Sequence, residues 1–132
     1  MGRAGYLAVF LGAALGGAAR HGVNLATAAL LGGGLPYGTL AVNVLGGFAM
    51  GLAVEIWARR SGLSQLARLF LTTGVLGGFT TFSTFSLDTV TLLQDGRPGA
   101  ALGYALASVI GAIGGLFVGL ACARAVVSPP GG

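Results

Sequence analysis

Four long stretches of the chain, from Ala4 to Ala19, His21 to Val54, Leu69 to Leu87 and Pro98 to Ala123, contain no Asp, Glu, Lys or Arg. A helix needs about 20 mostly apolar residues to cross the hydrocarbon of a bilayer. Only 8% of the residues are charged, against about 25% in an average soluble domain. That balance excludes a soluble globular domain. It also excludes disorder, which requires low hydrophobicity and high net charge. The second stretch is too long for one crossing and contains Gly32, Gly33, Gly34 and Pro36, residues that turn a chain.

The sequence therefore predicts an all-α, polytopic membrane protein: a single domain over residues 1–132 with four transmembrane helices near 6–30, 37–57, 66–93 and 98–126. Residues 128–132, rich in Pro and Gly, read as a frayed tail. Arg3 ahead of an apolar run also fits a secretory signal, but three further spans follow and the run is longer than a signal needs.

The net charge of +4 arises from seven arginines and three acids. The arginines sit mostly between apolar blocks, which suits caps on membrane spans and leaves no nucleic-acid patch. The chain has no lysine, a single histidine (His21) and a single cysteine (Cys122). A Walker-type phosphate loop, Schiff-base chemistry, an intrachain disulfide and a transition-metal cluster all lack their residues. No His-containing triad has an obvious acid partner, so the chain does not read as an enzyme.

Glycines recur four apart at Gly12 and Gly16, Gly47 and Gly51, Gly74 and Gly78, and through Gly111, Gly115 and Gly119. Small residues at this spacing let helix backbones approach closely in lipid. So short a chain is expected to complete its structure as a homo-oligomer. If the N-terminus is cytoplasmic, that side carries Arg3, Arg59, Arg60, Arg68 and Arg124 and the other carries Arg97. Taken alone, this bias places both termini inside in every copy.

Polar groups within spans are costly in lipid and carry the functional information. Thr39 and Asn43 share a face of the second span. Asn43 either makes an interhelical hydrogen bond or lends amide donors to a path. The third span reads GVLGGFTTFSTFSLD over residues 74–88. Its adjacent glycines, Gly77 and Gly78, followed by a hydroxyl-rich run, weaken a helix at mid-bilayer. A break there frees backbone carbonyls, which in transporter folds coordinate sodium; a straight helix with packing glycines is the alternative. Phe79, Phe82 and Phe85 recur every three residues. They either pack or turn their positive ring edges toward a small anion, with Ser83, Thr84 and Ser86 adding hydroxyl donors.

The segments GAALGGAAR (12–20), YGTLAVNVLGGFAMG (37–51) and GVLGGFTTFSTFSLD (74–88) closely resemble the Fluc, or CrcB, family of fluoride channels. The TTFSTFS run downstream of GTxxxN is specific, and the likeness covers nearly the whole chain. The resemblance implies an antiparallel homodimer of four-helix subunits inserted in both orientations in a prokaryotic inner membrane. It implies a broken third helix, fluoride pores along the subunit interface, and a structural sodium ion held by the backbone carbonyls of Gly77 and Thr80 from both subunits. Pathway residues map to Asn43, Phe82 and Phe85, with Tyr104 and Ser108 as a polar track on the last helix and Ser83 and Thr84 beside them.

The sequence departs from that pattern in three places. Ala112 and Leu116 stand where some members continue the polar track with hydroxyls. Asp88 replaces the more usual Glu at a pore mouth. Arg20 matches the family's first-helix arginine and is expected to attract anions, pair with an acid or anchor the helix. The arginine bias runs against dual insertion. The resemblance implies a passive channel that lets fluoride leave the cytoplasm and confers fluoride resistance. The rival reading is a small four-helix dimeric multidrug exporter, whose first helix needs a membrane-embedded acid that this chain lacks. A purely structural assembly protein is a third reading.

Overall fold

The computed structural model describes residues 2–60 and 62–127; the expected tail at 128–132 lies outside them. The described residues are helical and contain no strand. Helix α1 spans Gly2–Leu31 and α2 spans Tyr37–Arg59. The third span begins with α3 (Gln65–Leu69), continues through a π-helix (Phe70–Leu76) into α4 (Gly77–Phe79), and resumes as α5 (Phe82–Gln94). The last helix, α6, spans Pro98–Val126.

Local chemistry sets these limits. Helix α1 stops at Gly32, whose φ of +75° is a left-handed value that glycine adopts without strain. Ser64 starts α3, its hydroxyl accepting from the Ala67 N–H at 3.1 Å. Gly96 turns the chain with φ +72°, and Pro98 occupies the first position of α6, where a missing N–H costs nothing. The first helix begins four residues before the expected Tyr6, since nothing from Gly2 onward breaks it. The second runs two residues past the expected end, and the third span covers Gln65 to Gln94.

The break in the third span is not at the paired glycines. Gly77 and Gly78 lie inside α4, and the extended residues are Thr80 (φ −86°, ψ 160°) and Thr81 (φ −153°, ψ 124°). Glycine's weak helix propensity is overridden at Gly78, where a Cβ would run into the backbone of Ala13 and Gly17 on α1. The β-branched threonines accept an extended backbone readily. The π-helix carries no comparable signal in the sequence; it ends one short turn before the break, as π-turns often lie near functional sites.

Helices α2 and α6 are long and apolar enough to cross a membrane, with mean hydropathies of 1.6 and 2.2. The large apolar side chains point outward: Tyr6, Leu30, Phe10 and Phe117 are 84%, 83%, 70% and 66% exposed. A water-facing surface does not tolerate apolar exposure on this scale. Where helices meet, glycines supply the contact. Gly12 and Gly16 of α1 press on the backbone between Phe70 and Phe79, while Gly47 and Gly51 of α2 meet the carbonyls of Ala112 and Leu116. Gly115 and Gly119 reciprocate against Val44 and Phe48.

Charge closes the two ends. The buried Glu55 carboxylate takes Arg59 Nε at 2.6 Å and Arg124 Nε at 3.3 Å, tying the ends of α2 and α6 together. At the opposite end Arg97 Nη1 donates to the Gly34 carbonyl at 2.6 Å.

These contacts separate one glycine from another. Replacing Gly16 by alanine puts a methyl into the Val75 carbonyl and is expected to cost about 1–3 kcal/mol. Gly22, with nothing within 4 Å of a Cβ, is expected to tolerate alanine or gain up to about 1 kcal/mol. Unfolding of both variants in the same detergent checks the contrast; equal stabilities would contradict it.

Candidate functional site

The site is built on the interruption at Thr80 and Thr81, and the interruption is held by Asn43. Asn43 Oδ1 accepts from the Thr81 N–H at 2.8 Å, and Asn43 Nδ2 donates to the Thr81 carbonyl at 3.0 Å. Because one partner only donates and the other only accepts, the amide orientation is fixed by the backbone itself. One Nδ2 hydrogen remains for another acceptor. The Thr81 hydroxyl then caps α5, accepting from the Thr84 N–H at 3.1 Å. Thr80 spends both its N–H and its hydroxyl on the Leu76 carbonyl, at 3.0 and 2.9 Å.

These substitutions leave carbonyls without their helical donors. The Thr81 N–H would reach Gly77 in a continuous helix but goes to Asn43, and the Thr84 N–H would reach Thr80 but goes to the Thr81 hydroxyl. Among the described residues the Gly77 and Thr80 carbonyls have no hydrogen-bond donor. The Gly78 carbonyl is taken by Arg20 Nε at 3.2 Å. Arg20 therefore reaches the break from α1 and pairs with none of the three acids.

Beside the break runs an open groove of about 490 Å³. Asn43, Gly46, Gly47 and Met50 form the α2 wall, Ser108, Ala112 and Leu116 belong to the α6 wall, and Gly77, Thr80, Thr81, Phe82 and Phe85 come from the broken span. No charged side chain lines it. Ser108 is buried, and its hydroxyl has no hydrogen-bond partner among the described residues. An unpaired buried hydroxyl costs about 1–3 kcal/mol, and Ser108 carries that cost on the α6 wall. Phe82 projects outward, 77% exposed, with its ring 5.6 Å from that of Phe85.

The structure thus gathers Asn43, Phe82, Phe85 and Ser108 with Gly77 and Thr80 on one groove. Tyr104 and Asp88 stand to one side: the Tyr104 hydroxyl donates to Asp88 Oδ2 at 2.9 Å, and its ring lies 5.4 Å from Phe85. Ser83 and Thr84 do not line the groove; the Ser83 hydroxyl lies 3.4 Å from that of Thr81. Two participants were not singled out from sequence. Thr81 provides the backbone that Asn43 grips, and Gly46 leaves the room that Thr80 fills with its methyl. The signal was present in the spacing of Asn43 and Gly46 by three, which puts a glycine on the same helix face as the amide.

Chemically, the groove offers two kinds of partner. The spare Asn43 N–H, the Ser108 hydroxyl and the phenylalanine ring edges suit an anion without trapping it, and the released carbonyls suit a cation. No group of three His, Cys, Asp or Glu side chains could hold a metal among the described residues, so a cation site would rest on backbone oxygens.

Replacing Asn43 by alanine unpairs both polar groups of the Thr81 backbone, a loss of about 1–3 kcal/mol for each buried group left unsatisfied. Amide hydrogen exchange at Thr81 is expected to accelerate by roughly tenfold or more. Exchange as slow as in the parent protein would contradict the clasp.

Comparison with known proteins places this geometry in a lineage. Residues 7–120 match the family model described as CrcB-like protein, Camphor Resistance (CrcB). A protein of Methylobacterium nodulans named fluoride-specific ion channel FluC is 56% identical over 118 residues, 89% of this chain and 94% of that one. Proteins of the same name from Mesorhizobium japonicum and Granulibacter bethesdensis are 52% and 50% identical, over 91% and 92% of this chain and 96% of each relative. The match takes in α2, α5 and the break between α4 and α5, together with all but the ends of α1 and α6, and on that extent the chain belongs to the CrcB family of membrane proteins.

Proposed function

We propose that the chain is the protomer of a passive, fluoride-selective channel, not an enzyme, that lets fluoride leave a prokaryotic cell across its inner membrane. Such a channel lowers cytoplasmic fluoride and confers resistance to it. The observation that carries this reading is the uncharged groove in which Asn43, Phe82, Phe85 and Ser108 converge. A cationic side chain projecting into that groove would hold an anion tightly, whereas neutral donors and ring edges let it enter and leave. Fluoride is the base of a weak acid. Neutral HF enters and dissociates inside, and the membrane potential then drives the anion out, so no energy-coupling site is needed. The names of the relatives support the choice of ion.

The groove is open along one side and Phe82 lines it while remaining 77% exposed, which supports completion by a second copy in an antiparallel homodimer. A sodium ion bridging the two copies fits the Gly77 and Thr80 carbonyls, because both have lost their helical donors and both residues line the groove. Bound there, the ion would supply positive charge that orders the break. Multi-pass insertion in both orientations is part of the same proposal, against an arginine count that favours one. The exporter reading remains without its membrane-embedded acid, since α1 carries no Asp or Glu.

Fluoride efflux from liposomes tests the pathway. Phe82→Ile and Phe85→Ile are expected to lower flux by about tenfold or more with the dimer intact; unchanged flux in both would overturn their roles. Replacing sodium with a large organic cation is expected to lower the thermal stability of the dimer, and an unaltered melting point would remove the ion from the account. A tag on the C-terminus is expected to be accessible from both sides of the membrane. Uniform cytoplasmic exposure would contradict the antiparallel arrangement.

A further inference from the structure

Away from the groove, positive charge concentrates where α1 begins, α2 and α6 finish and α3 starts. Arg3, Arg59, Arg60, Arg68 and Arg124 belong to that end. Glu55 is the only acid there among the described residues, and it is already held by Arg59 and Arg124. Arg68 is different. It is exposed, has no acid partner among the described residues, and lines a recess of about 400 Å³ with Leu63, Gln65, Leu69 and Thr72. The Thr72 hydroxyl is spent on the Arg68 carbonyl at 2.7 Å. The guanidinium and the Gln65 amide are therefore the side-chain donors that the recess offers.

We infer that this recess binds the headgroup of an anionic phospholipid, with the phosphate on Arg68 and Gln65 and the glycerol end against Leu63 and Leu69. The planar guanidinium matches a phosphate with two parallel hydrogen bonds. The recess sits where the charge-free stretch of the third span begins at Leu69, the depth at which headgroups lie. Tyr6 and Trp57, on the same end, are the aromatic residues that favour that level. A soluble phosphate would leave both leucines facing water, and Leu63 is already 41% exposed. A lipid covers them. The unbalanced arginines select an anionic headgroup over a zwitterionic one.

Native mass spectrometry of the full-length protein, titrated with phosphatidylglycerol or phosphatidylcholine, tests the site. The parent protein is expected to retain phosphatidylglycerol preferentially. Arg68→Gln is expected to weaken that retention about fivefold, the effect of one basic residue worth about 1 kcal/mol near an anionic surface. Arg68→Lys, which keeps charge without the fork, should fall between the two. Arg97→Gln at the opposite end should leave retention unchanged, and thermal unfolding of each variant reports that the fold is intact. Equal retention by Arg68→Gln and the parent, no preference in the parent, or displacement of the lipid by excess inorganic phosphate would each overturn the site. Fluoride flux is not part of the readout, so this inference and the channel reading fail separately.

Discussion

The grip of one asparagine on one peptide unit is the interaction on which the rest of the site depends. A helix broken within a membrane exposes backbone groups that lipid cannot satisfy. Asn43 takes both polar groups of Thr81, and in doing so it diverts the N–H that would have closed the helix over Gly77. The Thr81 hydroxyl repeats the exchange one step on, diverting the Thr84 N–H from Thr80. The interruption is therefore held in place, and these exchanges release the Gly77 and Thr80 carbonyls from their helical donors. Arg20, arriving from α1, withdraws the Gly78 carbonyl from use.

Around this fixed point the protein is organised from the outside in reverse. Large apolar side chains face outward, and close contact is made by backbone at glycines. One glycine seam joins α1 to the broken span and another joins α2 to α6. The seams bring Asn43 on α2 and Ser108 on α6 to the same groove as the break. Most charge is kept to the ends, where Glu55 with its arginines and Arg97 with Gly34 fasten neighbouring segments, while Arg20 and Asp88 within the spans are spent on Gly78 and Tyr104. The groove is left to neutral groups, which is what an ion that must both enter and leave requires.

Much of this was legible in the sequence, for identifiable reasons. Charge-free runs mark spans because lipid penalises charge, and glycines four apart mark close contact because backbone approach demands them. Those steps do not say which seam joins which, since any two such faces fit. The locus of the break was less legible. Local propensity pointed to Gly77 and Gly78, but the backbone opens at Thr80 and Thr81 because its replacement partner lies 38 residues away on another helix. Arg20's contact with Gly78 and Tyr104's with Asp88 are likewise matters of reach across the fold, 58 and 16 residues along the chain. The π-helix before the break had no pattern of its own to read.

A groove free of charged side chains and held open by the Asn43 clasp conducts a small anion through neutral side-chain contacts. Parallel efflux of fluoride and chloride from liposomes containing the purified parent protein tests it most directly. Rapid fluoride efflux with chloride retained is expected. Efflux of both anions at similar rates, or of neither, would contradict it.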